Sequence, residues 1–318
     1  MVRVVTAVLL ALLLATQAHA AGRLFVVSKG KRALQVYDPE SGKQEFEVVV
    51  PGALHEVAIS PDGRFAYVGD YEGVKNTLSV IDVNARSVTG TLVLTPDFMP
   101  HGLVVTRDGS TLYATCAASH SVVEVGLDPL KVKRSFKVFA DNTDIVALSP
   151  DEKLLYASST TDGNFAVIDL VKGEFERSIL SGSGCEGIAV SPDGSEIWLA
   201  NRVAQTLAVV DVASRRKVQA IQCIGNPMRI YFTPDGKQAV VTCAVAGRLA
   251  LFDRAKRVET GRFVVGEFPT EIAFSGEGQP VYVTNARANE VAVVDLDAKK
   301  VLRRIPVGPD PEGVAYCK

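Results

Sequence analysis

Histidines are the first residues in this chain whose types and spacing could do chemistry. Three of the four lie beyond residue 20, at His55, His101 and His120. His55 and His101 each stand just ahead of a short apolar run, and such runs recur along the chain. Aligning them places one residue of each at the same position: His55, His101, Asp144, Glu186, Met228, Thr270 and Glu312. Imidazoles beside carboxylates suit zinc or another divalent ion, whereas imidazole with a thioether suits copper. Arg229, next to Met228, would supply the counter-charge for an anionic ligand. The expected ligand-binding residues are therefore these seven with His120 and Arg229. The expected metal donors are His55, His101, Asp144, Glu186 and Glu312, with the two histidines as principal donors.

Other chemistries are missing from the sequence. Gly182-Ser183-Gly184-Cys185-Glu186-Gly187 matches G-x-G-x-x-G, but a dinucleotide site needs a helix after the loop. Here the segment joins the last run of one unit to the first run of the next, so no nucleotide is expected. G-x-S-x-G, a Walker loop, H-E-x-x-H and C-x-x-C-H are all absent, so no haem c attachment is expected. With 34 Lys+Arg against 36 Asp+Glu, the chain has no basic footprint for nucleic acid.

The elements that must position these residues repeat along the chain. Ser60-Pro61-Asp62-Gly63, Ser191-Pro192-Asp193-Gly194 and Thr233-Pro234-Asp235-Gly236 share a turn motif. Thr106-Arg107-Asp108-Gly109, Ser149-Pro150-Asp151-Glu152 and Ser275-Gly276-Glu277-Gly278 are looser copies. The spacings between successive copies are 46, 43, 42, 42 and 42 residues. Proline presets φ at the second place of such a turn, and glycine takes its exit. An aspartate follows each second run at a fixed distance (Asp169, Asp211, Asp253, Asp295), with Asp82 displaced by an insertion and Gly126 in its place in one unit.

Each unit carries four short apolar or alternating runs and no helical period, the pattern of a propeller blade. In the unit from Glu186 they are Ile188–Val190, Ile197–Ala200, Leu207–Val210 and Val218–Ile221. The C-terminal Glu312–Cys317 matches a first strand alone, and Leu24–Val27 matches a second strand. The fold predicted is all-β: a seven-bladed β-propeller of four-stranded antiparallel blades, closed by pairing of N-terminal strands with the C-terminal strand. In that geometry the aligned set rings one mouth of the central channel, and the turn carrying His120 opens on the same face.

Met1–Ala20 reads as a secretory signal: Arg3, an apolar run over Val4–Leu14, then Ala18-His19-Ala20 as a cleavage site. Eleven residues are too few for a membrane span, which needs about 20. A periplasmic or secreted location after cleavage near Ala20 is expected, with residues 21–318 as a single propeller domain. The five cysteines are Cys116, Cys185, Cys223, Cys243 and Cys317. An odd number leaves at least one unpaired, and small buried strand residues is the role they suit. Cys116 and Cys243 hold equivalent places in separate blades, too far apart for a mutual disulfide. Cys185 in its glycine-flanked loop is expected to be the reactive thiol, and Cys317, in the place of a turn serine, an unreactive structural one.

Tyr282-Val283-Thr284-Asn285, followed by Val293-Val294-Asp295 and Ile305-Pro306-Val307-Gly308, resembles the YVTN-type β-propeller repeat of secreted bacterial and archaeal proteins. The resemblance implies the propeller fold over the whole mature chain. It also implies a spread of roles, from surface-layer proteins to proteins of quinone-cofactor metabolism. Three functions are consistent with these features. The first is an exported non-catalytic module presenting one channel mouth to a protein, polysaccharide or small ligand. The second is a metal-dependent lyase or lactonase-type enzyme using the same mouth. The third is an accessory protein of a periplasmic redox or quinone-cofactor system.

Overall fold

The structure, a computed structural model, describes residues 22–71 and 76–318. The proposed signal segment Met1–Ala20 lies outside the described residues. The described chain forms seven four-stranded antiparallel sheets and one 3-10 turn, Ala117–Ser119. The first strands of the blades are Leu54–Ile59, Pro100–Val105, Thr143–Leu148, Cys185–Val190, Pro227–Phe232, Pro269–Phe274 and Pro311–Cys317. Each packs against the next, and the last packs against the first, so they form a closed ring around an axis. This is the expected seven-bladed propeller. Among the described residues no helix is long and apolar enough to cross a membrane.

Closure follows the predicted register. Pro311–Cys317 pairs antiparallel with Arg23–Ser28, Val26 opposite Val314 and Leu24 opposite Tyr316, so chain ends share one sheet and leave no inner edge unpaired.

The turn motif works as its residues dictate. Gly63 N–H donates to Ser60 O at 2.8 Å, Ser60 Oγ donates to Asp62 Oδ1 at 2.6 Å, and Gly63 takes φ +70°. The recurring aspartates cap the next hairpin: Asp169 Oδ1 accepts from the backbone of Val171 and Lys172. Gly126 marks the exception because Leu127 pairs directly with Leu130, a two-residue hairpin that has no loop to cap.

The apolar core lies between blades. Trp198, Ala200 and Leu207 of one blade pack with Ile230, Val241 and Phe252 of the next, all buried, and each seam has such a cluster. A fully buried side chain of this size contributes roughly 1.5–3 kcal/mol, so the seams hold the ring together.

Every first strand carries a β-bulge near its start. Leu54 pairs with Asp70 and Val57 with Val68, so two residues, His55 and Glu56, stand opposite one. The same irregularity recurs in the other six. A bulge breaks the two-residue alternation and re-aims side chains. The residues just after the aligned set, at the crowded axis, are Glu56, Gly102, Ile145, Gly187, Arg229, Glu271 and Gly313. Glycine is required where backbones close in: a Cβ at Gly102 would lie 2.6 Å from Asp144 O, and one at Gly187 2.6 Å from Met228 O.

Candidate functional site: a histidine and carboxylate cluster at the channel mouth

His55 and His101 come from adjacent first strands and meet near the axis. His101 Nε2 lies 3.0 Å from His55 Nδ1, and the ring centroids are 4.4 Å apart. The Tyr71 ring packs against both, at 5.0 and 4.6 Å between centroids. His101 Nδ1 donates to Asp144 Oδ1 at 2.6 Å, which fixes its tautomer and leaves Nε2 facing His55. Glu56 Oε1 lies 3.9 Å from His55 Nδ1. One donor atom each from His55, Glu56 and His101 therefore falls within 4.8 Å of the others.

The two imidazoles are shifted in opposite directions. Burial, reinforced by the charge of His101, pulls the His55 pKa down to about 4, so His55 is neutral at pH 7. Burial acts the same way on His101, but the Asp144 carboxylate outweighs it and moves His101 above the usual histidine value. Asp144 is held below the carboxylate range against its own burial by the His101 charge.

Arg229 is the hub beside them. It is fully enclosed and reaches three carboxyl groups: Glu56 at 2.8 Å, Glu186 at 2.6 Å and Glu271 at 3.2 Å. Glu186 also takes Arg202 at 2.9 Å on its other oxygen. Arg229 holds Glu56 well below its ordinary pKa although burial opposes it. Glu271 behaves oppositely despite its contact with Arg229. Burial and the nearby charge of Glu56 push it up to about 8, so it is mainly protonated at pH 7. Burial likewise lifts Glu312 to about 7 against the pull of Lys29, 3.6 Å away.

A pH dependence follows. A carboxyl whose folded pKa lies above its unfolded value stabilises the fold while protonated. For Glu271 that contribution is complete below about pH 4.5 and is lost as pH rises through about 8. At about 1.4 kcal/mol per pKa unit the change is on the order of a few kcal/mol. The melting-temperature difference between Glu271→Gln and the native protein should therefore move in favour of the variant from pH 6 to pH 9. A difference that stays constant over that range would show that Glu271 does not titrate there.

The other expected site residues are placed differently. His120 sits on an exposed turn, its Nδ1 3.4 Å from Asp141 Oδ1. Thr270 is buried and shares a hydrogen bond with Thr284 Oγ1 at 2.8 Å, and Met228 is buried. Asp144, Glu186 and Glu312 are each engaged by a cationic group of the protein, as given above. Cys185 is fully buried at the start of its strand, and burial raises its thiol to about 12, whereas Cys317 remains partly exposed. That reverses the expected order of accessibility for these two thiols.

Glu56 and Glu271 were not anticipated as site residues. Strict alternation would turn them away from the aligned ring, and only the bulge brings them to it. The signal in the sequence was a charged residue at the place of Arg229 in blades where others carry glycine. Beyond the Glu56 and Glu271 level, toward the opposite mouth, the channel opens into a cavity of about 560 Å³ walled by Ile145, Ile188 and Val314 with Arg107 and Glu152 at its rim.

The fold is shared with solved structures. A hydrazine synthase structure from Kuenenia stuttgartiensis superposes with a TM-score of 0.74 at 22% identity, covering 84% of this chain and 90% of that one. A protein of unknown function from Desulfotomaculum acetoxidans gives a TM-score of 0.80 at 14% identity, covering 93% and 98%. At these identities the likeness is one of fold. No protein of curated function matches the sequence. The family model described as YNCE-like beta-propeller matches residues 34–273 of the 318. Taken with seven closed blades built on its repeat, that match makes the chain a member of the YNCE-like β-propeller family.

Proposed function

We propose that this propeller is an exported, non-catalytic binding module whose histidine mouth holds a divalent transition-metal ion and presents it to a ligand. One observation carries the reading: His55 Nδ1 and His101 Nε2 face each other at 3.0 Å with Glu56 beside them. Two nitrogens bound to one zinc at about 2.0–2.1 Å stand roughly 3.0–3.4 Å apart, depending on the angle between the bonds. Asp144 acts behind His101 as the carboxylate that orients a metal-bound imidazole. The donor set differs from the sequence expectation. Glu56 joins the histidines, Asp144 moves behind them, and Glu186 and Glu312 serve the neighbouring cations. Export rests on the reading of Met1–Ala20.

Metal analysis of protein purified without chelators, followed by zinc and copper titration, tests the proposal. One equivalent should bind, and His55→Ala or His101→Ala should abolish it while His120→Ala should not. At a free ion level about 100-fold above Kd, binding to the folded state alone adds about 2.7 kcal/mol, several degrees of melting temperature. Absence of metal, with no shift from either ion, would overturn the reading.

The Asp144–His101–His55 line favours a second reading, a metal-dependent lyase or lactonase-type enzyme. There the ion is the Lewis acid and a histidine the base. Turnover of simple lactones by the zinc-loaded protein, lost in His55→Ala, would decide for it. Zinc uptake without turnover supports the binding module.

A further inference from the structure

The seam between the blade beginning at Cys185 and the blade beginning at Pro227 carries two cysteines. Cys223 follows the outer strand Arg216–Gln222, and Cys243 ends the second strand Gln238–Cys243 of the next blade. Their Sγ atoms are 3.8 Å apart, and both residues are fully buried. This meeting of side chains is built into the repeat. One seam earlier, the equivalent places hold Ser181 and Asn201, joined by a hydrogen bond of 2.7 Å from Ser181 Oγ to Asn201 Oδ1. One seam later they hold Val265 and Asn285, where Asn285 Nδ2 donates to Val265 O at 3.2 Å. At Cys223 and Cys243 the cross-seam hydrogen bond is replaced by two thiols facing each other. Sulfurs at 3.8 Å need to close by less than 2 Å to reach bonding distance, about 2.05 Å. A rotation about Cα–Cβ of one or both cysteines moves a sulfur that far.

We propose that Cys223 and Cys243 form a disulfide that staples these two blades together. The inference is independent of the metal reading, because neither cysteine belongs to the mouth cluster. The bond forms by thiol–disulfide exchange with an oxidant of the disulfide class, such as oxidised glutathione. One protein thiolate attacks the oxidant, forming a mixed disulfide and releasing one oxidant thiol. The second protein thiolate then displaces the other oxidant thiol. Two protein thiols thereby lose two protons and two electrons, and one oxidant disulfide becomes two thiols. Because both sulfurs are fully enclosed in the folded seam, exchange takes place on the chain before this seam packs, and the packed seam then keeps reductants out. Arg262, whose Nη2 lies 3.9 Å from Cys223 Sγ, is held in place by Glu259 and covers the pair from the outer strand of the second blade. Cys116, Cys185 and Cys317 stay as thiols, which accounts for the odd number of cysteines.

The test is an alkylation count on the full chain refolded with a mixture of reduced and oxidised glutathione. Denatured and treated with iodoacetamide without reductant, the protein should take up three alkyl groups. After reduction it should take up five, one for each cysteine in the chain. Peptide mapping should recover a single cross-linked pair containing Cys223 and Cys243. The melting temperature of the oxidised protein should fall by several degrees on full reduction, since the bond constrains the unfolded chain. The Cys223→Ser, Cys243→Ser double variant should show no response to reductant. Five alkylations without reduction, or a cross-link involving Cys116, Cys185 or Cys317, would overturn the assignment. If the double variant does not fold, the alkylation count and the peptide map on the native sequence decide alone.

Discussion

Replacing Arg229 with methionine should cost on the order of 3–5 kcal/mol, because it strands three enclosed carboxyl groups at the axis. The side chain volume is nearly kept, so the loss would report charge and hydrogen bonding, not a cavity. Its pH dependence has a defined sign. Without the guanidinium Glu56 loses the charge that depresses its folded-state pKa and Glu271 rises further, so the deficit is full at pH 8 and shrinks as pH falls and the carboxyls are protonated. A second change, Glu271→Gln, removes one stranded group and should recover part of the loss at pH 8. Denaturant melts of the two variants at pH 5 and pH 8 measure all of this. Should Arg229→Met melt within a degree or two of the native protein at pH 8, the axial ion cluster would be incidental to stability.

Removing residues 312–318 should have the larger effect of the two. The deleted strand is the inner strand of its blade and the partner of Arg23–Ser28. Its loss uncovers Leu24, Phe25 and Val26, all fully buried, and breaks the stack of Tyr316 on Tyr282, 5.7 Å apart. Several apolar side chains at roughly 1.5–3 kcal/mol each approach the whole net stability of a domain, about 5–15 kcal/mol. The truncated chain should be aggregated or lack a cooperative thermal transition by circular dichroism. A synthetic peptide of residues 311–318 added during refolding should restore it in part. A truncated monomer that melts cooperatively near the native temperature would mean that the ring does not depend on this closure.

The fold was legible because its signals are local and repeated. Turn residues at a 42-residue spacing, and a single unit divided between the two ends of the chain, need no knowledge of distant contacts. His55 and His101 were legible for the same reason, since an aligned place in a repeated strand becomes a ring around the axis. Glu56 and Glu271 were hidden by a bulge, a backbone irregularity that no alternation pattern reports. Cys185 was misread because its flanking glycines suggest an open loop, whereas Gly182 and Gly184 pack closely against Asn201 and Val203 of the same blade. The Cys223 and Cys243 pair depends on the register between blades, which spacing along the chain does not contain.

The sequence of residues at the axis gives each repeat a fixed seat. Around the ring the places run glutamate, glycine, isoleucine, glycine, arginine, glutamate, glycine, so bulky and charged groups share the centre with gaps left for them. Blades that look interchangeable in their outer strands are not interchangeable here. Seven copies of the unit containing Arg229 would crowd seven guanidiniums into one point, and seven copies of the unit containing Gly187 would leave the centre open. Exchanging the repeat that carries Arg229 with the one that carries Gly102, though it preserves every turn and every strand, would take the arginine out of its place between Glu186 and Glu271. Any lineage that built this ring by duplication had to let the copies diverge at the axis, and that divergence gives the blades a fixed order.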